Sequence, residues 1–194
     1  SVFIGFVLSE KFLRPIGNLA EGVKAIDRRD FKYRLPAGES DELGLLAGTF
    51  NRVMEGLADL DVGRVVQESL FPEKEQITGE YRMYGMSRAA SQLGGDYLDF
   101  QCLPDGRLVF LIGDVSGHGL PAALIMAMAK ALVERECEFD VSPQRALTTL
   151  NQVILKTMKR RRMMTCFMGL LDPVRHRCVV VNGGHNYPFL FSPG

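Results

Sequence analysis

From Phe12 the apolar residues recur at Ile16, Leu19, Val23 and Ile26, alternately four and three apart, which predicts a helix starting near Pro15 with a coiled-coil seam. A connector over residues 28–40 carries Pro36 and Gly38, and the same spacing then returns in Leu43, Leu46, Phe50, Val53, Leu57 and Leu60. Two such short seams cannot both be buried by one chain. The pattern therefore predicts pairing with a second copy as a parallel four-helix bundle. Past Leu60 the seam positions fall on Arg64 and Gln67, while the apolar residues move to Val62, Val65, Val66 and Leu70. The helix is expected to continue with a new facing. Residues 59–71 are then a candidate for transmitting rotation or stretch, or simply for packing on the next domain.

Beyond Pro72 the period shortens. Strands are predicted around 81–87, 97–103 and 107–115, followed by a helix over 121–136 that is apolar nearly all round and so largely buried. Ser142 and Pro143 stand in the favoured order for a second helix start, with Leu147, Leu150, Ile154 and Met158 on one face. Strands resume over 165–171, turn at Asp172-Pro173 and return over 178–181 into Gly183-Gly184-His185-Asn186. Strands, a helical pair, then strands again make an α+β plan with helices on a sheet face.

Composition narrows the classes. Hydrophobic residues make up 46% of the 194, enough for a core and against disorder. The 23 basic and 23 acidic residues balance, which excludes a global field toward nucleic acid, so any electrostatic steering is local. Cys102, Cys137, Cys166 and Cys178 lack the close spacing of a zinc site or disulfide framework, and read as ordinary buried thiols of a reducing compartment. The first segment, residues 2–8, is apolar before Glu10, Lys11 and Arg14. It is too short to span a bilayer, but suits the cytoplasmic end of a membrane helix, with the apolar first turn of a soluble helix as the alternative.

The candidate chemistry sits on a hairpin. Leu103-Pro104-Asp105-Gly106 suits a three-residue loop with Gly in the left-handed conformation, pairing Leu103 with Arg107. Counting outward sets Asp96 opposite Asp114, on the face that carries Leu98, Phe100, Cys102, Ile112, Phe110 and Leu108. Opposed like charges call for a cation between them, and oxygen ligands suit magnesium or manganese. A two-residue Asp105-Gly106 turn would instead slip the register and send the acids to opposite faces. Alternation puts Asp99 on the other face, in a structural role.

Two resemblances follow from the motifs. Arg14-Pro15-Ile16-Gly17-Asn18-Leu19, the connector, Asp41-Glu42-Leu43-Gly44 and Phe50-Asn51-Arg52-Val53-Met54 together resemble a HAMP signalling domain over residues 11–57. That implies a homodimeric relay from a sensor across the membrane, with residues 1–10 ending a transmembrane helix and 58–72 forming a switch helix. Gln67-Glu68-Ser69-Leu70-Phe71-Pro72, Gly94-Gly95-Asp96-Tyr97-Leu98-Asp99, Gly113 to Gly119, Thr165-Cys166-Phe167-Met168 and Gly183-Gly184-His185-Asn186 resemble the SpoIIE-type branch of metal-dependent (PPM) Ser/Thr protein phosphatases. Residues 73–194 would then be the N-terminal part of an α-β-β-α sandwich.

This second resemblance implies two divalent cations, Mn2+ or Mg2+, and an activated water that attacks phosphoserine or phosphothreonine directly. Asp96, Asp114 and the Val115 carbonyl would be metal ligands, and Asp99, His118 and His185 outlying residues. For His118, at a helix start, a general-acid role stands beside a capping or supporting one; His185 reads as a hydrogen bonder that holds its turn. The family's remaining metal carboxylates lie beyond the Gly-Gly-His strand, so the site within residues 1–194 is expected to be incomplete and this chain inactive by itself. The implied partner is a phosphorylated regulatory protein resembling an anti-sigma-factor antagonist, and the implied location is the cytoplasmic membrane with both modules in the cytoplasm. Lys156, Lys159, Arg160, Arg161 and Arg162 read first as a solvated helix end, and otherwise as a docking patch for an acidic phosphoprotein. The rival readings are a non-catalytic HAMP dimer with a partner-binding module, and a diguanylate cyclase suggested by Gly-Gly-Asp alone.

Overall fold

The computed structural model describes residues 9–36, 41–72, 74–87, 93–138, 141–159 and 161–191. The chain forms two compact units, residues 1–62 and 63–194. In the first, a π-helical stretch, Ser9–Leu13, leads into α1, Arg14–Asp27, with Pro15 in its first turn. Helix α1 ends with Arg29 left-handed (φ 58°), the Asp30 N–H on the Ala25 carbonyl and the Arg29 N–H on that of Ile26. These bonds satisfy carbonyls that a helix end would otherwise leave free. Helix α2, Glu42–Ser69, follows, with the Asp41 carboxylate accepting from the Gly44 N–H at its start.

The described part of the connector, residues 28–36, packs through Phe31 and Leu35. The Asn51 amide bonds the Leu35 N–H at 2.8 Å and its carbonyl at 3.0 Å, and Phe31 and Leu35 are buried. A small core of Ala25, Phe31 and Met54 collects Ile26, Phe50 and Leu57 around it. The predicted seams are only partly used within the chain: Phe12, Ile16, Val23, Leu46 and Val53 remain about half exposed or more. The expected membrane-helix end falls mainly on residues 1–8, outside the described residues; among those described, no helix is long and apolar enough to cross a membrane.

Helix α2 runs unbroken through the phase change, as the sequence predicts, but its shifted valines do not pack. Val62, Val65 and Val66 stay exposed, while Gln67, expected as a polar interruption, is buried. Leu70 and Phe71 join the core of the second unit.

That unit is built on a four-stranded antiparallel sheet in the order β3-β4-β5-β6: β3, Asp96–Cys102; β4, Leu108–Val115; β5, Met164–Asp172; β6, Arg177–Gly183. Helices α3, Leu120–Cys137, and α4, Pro143–Met158, cover one face. Their core contains Tyr97, Leu111, Val115, Ile125, Met126, Val133, Leu150 and Met168, each worth roughly 1.5–3 kcal/mol for the larger side chains. Ser142 caps α4 by accepting from the Arg145 N–H, as its motif predicts. Helix α3 is less buried than its composition suggests: Leu120 and Leu124 are exposed, because among the described elements it is the sheet and α4 that cover it.

A hairpin of β1, Glu75–Thr78, and β2, Tyr81–Tyr84, precedes the sheet; β1 carries too few apolar residues to announce itself, and β2 is shorter than the strand expected over 81–87. It lies against β3 and the loop end of the main hairpin through Gln76 to the Cys102 N–H and Thr78 to the Gly106 carbonyl. Of the four thiols, Cys137 and Cys166 are buried, and burial pushes Cys166 up to about 12, but Cys102 and Cys178 are exposed, correcting the expectation that all four are interior. Both exposed thiols lie at edges of the sheet, Cys102 at the end of β3 and Cys178 on edge strand β6.

Candidate active site

The loop between β3 and β4 has three residues, Pro104, Asp105 and Gly106. Leu103 N–H donates to the Arg107 carbonyl at 2.7 Å, Gly106 has φ 82°, and Asp105 accepts from both the backbone N–H and the guanidinium of Arg107. The resulting register sets Asp96 opposite Asp114. Because the Val115 N–H bonds the Gly95 carbonyl at 3.1 Å, the Asp96–Asp114 pair is of the non-hydrogen-bonded kind, where Cα atoms come to about 4.5 Å and side chains approach most closely. Both acids are exposed. Opposed like charges at this spacing are destabilising by themselves.

The row continues across the sheet. Thr165 of β5 stands on the other side of Asp114, and its hydroxyl bonds the His185 Nδ1 at 2.9 Å. His185 is held further by reciprocal bonds with Asn182, its N–H to Oδ1 at 2.8 Å and its carbonyl from Nδ2 at 3.0 Å. Asp96, Asp114 and His185 line one open cleft of about 420 Å³, whose wall includes Tyr84, Gly85 and Ile112. Gly85 packs so closely on Leu98 and Phe100 that an added Cβ would lie 2.5 Å from Phe100.

Val115 is buried and its carbonyl lies against Gly95, where an added Cβ would stand 2.4 Å from the oxygen. Only glycine lets the two segments approach so closely. His118 is exposed and outside the cleft lining; the cap position of α3 is Gly119, without a side-chain cap, so His118 does not cap the helix.

Asp99 lies on the helix face, away from the acid pair. Its carboxylate accepts from the Tyr97 hydroxyl at 2.8 Å and, through both oxygens, from Lys130 at 2.9 Å, and Lys130 also reaches Glu134 at 3.0 Å. Burial first, and then the Asp99 carboxylate, drive the Tyr97 hydroxyl well above the ordinary phenol range, so it stays a donor. Burial pulls Lys130 down, but its bonds to Asp99 and Glu134 outweigh this and leave it raised. Lys130 was not legible as Asp99's partner, since 31 residues separate them and only the packing of α3 on the sheet joins them.

Sequence reasoning also missed the part played by Gln67. Its amide donates to the Gly94 carbonyl at 2.7 Å and accepts from the Gly94 N–H at 3.2 Å, a two-way clamp from the end of α2 onto the glycine two residues before Asp96. Gln67→Ala leaves the half-buried Gly94 N–H and carbonyl without these partners, at a cost of up to about 1–3 kcal/mol each, less where water replaces them. Loss of amide-exchange protection concentrated at residues 93–97, with the helix core of the unit still protected, is the expected outcome; uniform loss would refute a local clamp.

For a divalent cation the donors have the right chemistry: two carboxylates and a backbone carbonyl, all hard oxygens. Among the described residues no group of three or more His, Cys, Asp or Glu side chains gathers where it could hold a metal ion, so the set fits in kind and falls short in number.

Comparison with known proteins supplies the frame for this geometry. Phosphoserine phosphatase RsbU of Bacillus subtilis (strain 168) is 27% identical over 136 residues, covering 70% of this chain and 40% of that protein. Phosphoserine phosphatase RsbP of the same organism is 25% identical over 131 residues, covering 66% of this chain and 32% of that protein. This chain thus spans about a third to two fifths of the length of these relatives. Among solved structures, the SiaA-PP2C domain of Pseudomonas aeruginosa superposes with a TM-score of 0.52 at 18% identity, covering 68% of this chain and 54% of that one, a likeness of fold. The HAMP domain model matches residues 7–59, and the stage II sporulation protein E (SpoIIE) model matches residues 104–194. The chain carries, in that order, a HAMP domain and a SpoIIE-type PPM phosphatase domain.

Proposed function

We propose that this chain is the regulatory and metal-binding part of a HAMP-gated protein phosphatase that hydrolyses phosphoserine or phosphothreonine on a regulatory protein. The observation that carries the reading is the acid pair: Asp96 and Asp114 face each other at the closest cross-strand spacing and open into one cleft. Asp96, Asp114 and the Val115 carbonyl would hold the cations. Two divalent ions held there, Mn2+ or Mg2+, would supply an activated water and offset charge on the phosphoryl oxygens. Gly95 lets the Val115 carbonyl stand beside the acids, and the Thr165–His185 bond shapes the cleft wall next to Asp114. Two carboxylates and one carbonyl are fewer ligands than two hard cations take, so the reading expects further oxygen donors outside the described residues. The domain division proposed is 1–10 membrane-helix end, 11–57 HAMP, 58–72 switch helix and 73–194 phosphatase.

The relatives' names support a phosphoserine substrate, and a small regulator of the anti-sigma-factor-antagonist kind is the proposed partner. Hydrolysis of p-nitrophenyl phosphate and of a phosphoserine peptide by the full-length protein, with and without added manganese, tests the activity; no turnover with manganese present would refute it. Production of a cyclic dinucleotide from GTP would instead favour the cyclase reading.

Gating is proposed to run through a homodimer at the membrane. Its support is the half-exposed apolar set Phe12, Ile16, Val23, Leu46 and Val53, beside an open groove of about 550 Å³ lined by Leu19, Leu35, Leu43 and Ala47. Ile16→Glu together with Val53→Glu places charges in that seam and is expected to give a monomer by analytical ultracentrifugation, since like charges there oppose each other across the bundle axis. A dimer of unchanged affinity would refute the seam.

A further inference from the structure

Of the five basic residues near the end of α4, Arg160 lies outside the described residues, and the other four, Lys156, Lys159, Arg161 and Arg162, are not used by the catalytic reading. Among the other described basic residues of 63–194, most are paired with carboxylates, as in Arg82 to Glu75, Arg145 to Glu136 and Arg175 to Asp172. Lys156, Lys159 and Arg161 are exposed, and among the described residues none of them has a carboxylate within ion-pair distance. The negative end of the helix accounts for cations at Lys156 and Lys159. It does not account for Arg161 and Arg162, which lie past the helix.

Arg162 places this loop. Its guanidinium donates to the Ser116 carbonyl at 2.7 Å and lies over Gly117, where an added Cβ would stand 2.4 Å from it at a residue whose φ of 90° already favours glycine. Ser116 N–H donates to the Met163 carbonyl at 2.8 Å, and Met163 N–H to the Ser116 hydroxyl at 2.9 Å. The chain then enters β5, with Met164 opposite Val115 and Thr165 opposite Asp114. Three residues of extended chain, about 10 Å, separate Arg162 from Thr165. The cationic loop is thus stitched to the acid-bearing end of β4.

We infer that Lys156 in the last turn of α4, Lys159 at its C-cap and Arg161 on the loop that Arg162 anchors to Ser116 form a docking surface for acidic side chains flanking the phosphorylated residue of a protein substrate. The inference rests on the phosphatase reading for its substrate. With 23 basic and 23 acidic residues in the chain, no net field draws such a partner, and a local patch tied to the acid-bearing end of β4 supplies both attraction and register.

The test uses the full-length protein and two fluorescent phosphoserine peptides, one flanked by glutamates and one by lysines, with binding followed by anisotropy at low and high salt. The Glu-flanked peptide is expected to bind on the order of tenfold tighter, a preference that shrinks at high salt. Lys156→Glu with Arg161→Glu should reverse it and leave p-nitrophenyl phosphate turnover unchanged. Equal binding of the two peptides by the unaltered protein, or a preference that survives charge reversal, overturns the docking surface. Circular dichroism checks that the variant folds; if it does not, Lys156→Gln with Arg161→Gln decides, with a reduced preference expected and an unchanged one overturning. Turnover of p-nitrophenyl phosphate without any peptide preference defeats the docking surface alone. A preference without turnover defeats the phosphatase reading and leaves the acidic-peptide site standing.

Discussion

Asp114→Asn is expected to slow manganese-dependent p-nitrophenyl phosphate hydrolysis by the full-length protein at least about 100-fold, the upper cost of losing even an outer-shell partner of a metal site. The substitution keeps the shape of the side chain and so keeps the pairing of Asp114 with Asp96 and Thr165. What it removes is one of two negative charges set at the shortest cross-strand spacing. Without metal, that repulsion is a cost to the folded state, so the variant should unfold in urea at an equal or higher midpoint than the unaltered protein. With manganese the order should reverse, because an ion that binds only the folded state stabilises it in proportion to its affinity. Equal hydrolysis rates, or identical manganese stabilisation in both proteins, would eliminate Asp114 as a ligand.

Lys130→Met carries the other large effect, on stability. Asp99 is 3% exposed and its two oxygens both face Lys130, so the substitution leaves a buried carboxylate with Tyr97 as its remaining donor. Breaking a buried pair from one side costs about 3–5 kcal/mol, measurable as a lowered urea midpoint. Asp99→Asn combined with Lys130→Met should recover part of that loss, since no uncompensated charge remains. If the double variant is as unstable as the sum of the single ones, the pair is not what holds β3 to α3.

The pH dependence has a definite sign. Lys130 is raised above its unfolded value despite burial, because Asp99 and Glu134 favour its charged form. Its contribution is therefore complete below the ordinary lysine pKa and is lost only as pH rises through the higher folded value. The stability gap between Lys130→Met and the unaltered protein should stay constant through neutral pH and narrow only in strongly alkaline solution.

Where the sequence was legible, local chemistry was decisive. Pro104-Asp105-Gly106 admits few loop geometries, and once the loop is three residues long every pair up to Asp96–Asp114 follows by alternation. Ser142 and Pro143 marked a helix start for the same reason: capping involves residues close in sequence. Strand β1 escaped because Glu75-Gln76-Ile77-Thr78 has one strongly apolar residue and owes its extension to pairing with β2. Of the shifted apolar residues Val62, Val65, Val66 and Leu70, which suggested a docking face from periodicity alone, Leu70 reaches the core while the three valines stay exposed, and the polar Gln67 docks beside it. Periodicity reports which side of a helix is greasy, and it is blind to an amide whose partner is a backbone 27 residues away.

By itself, then, the sequence determined the helices and strands that announce themselves by period, the tight hairpin and the facing of its two acids, because each depends on torsions and hydrogen bonds within a few residues. Tertiary structure alone decided that Lys130 answers Asp99, that Gln67 clamps Gly94, that Thr165 and His185 extend the acid row, and that Arg162 ties a cationic loop to Ser116. Those contacts join residues 27 to 46 positions apart, or 20 in the case of Thr165 and His185, and their free energy depends on burial and distance that exist only once the layers have packed.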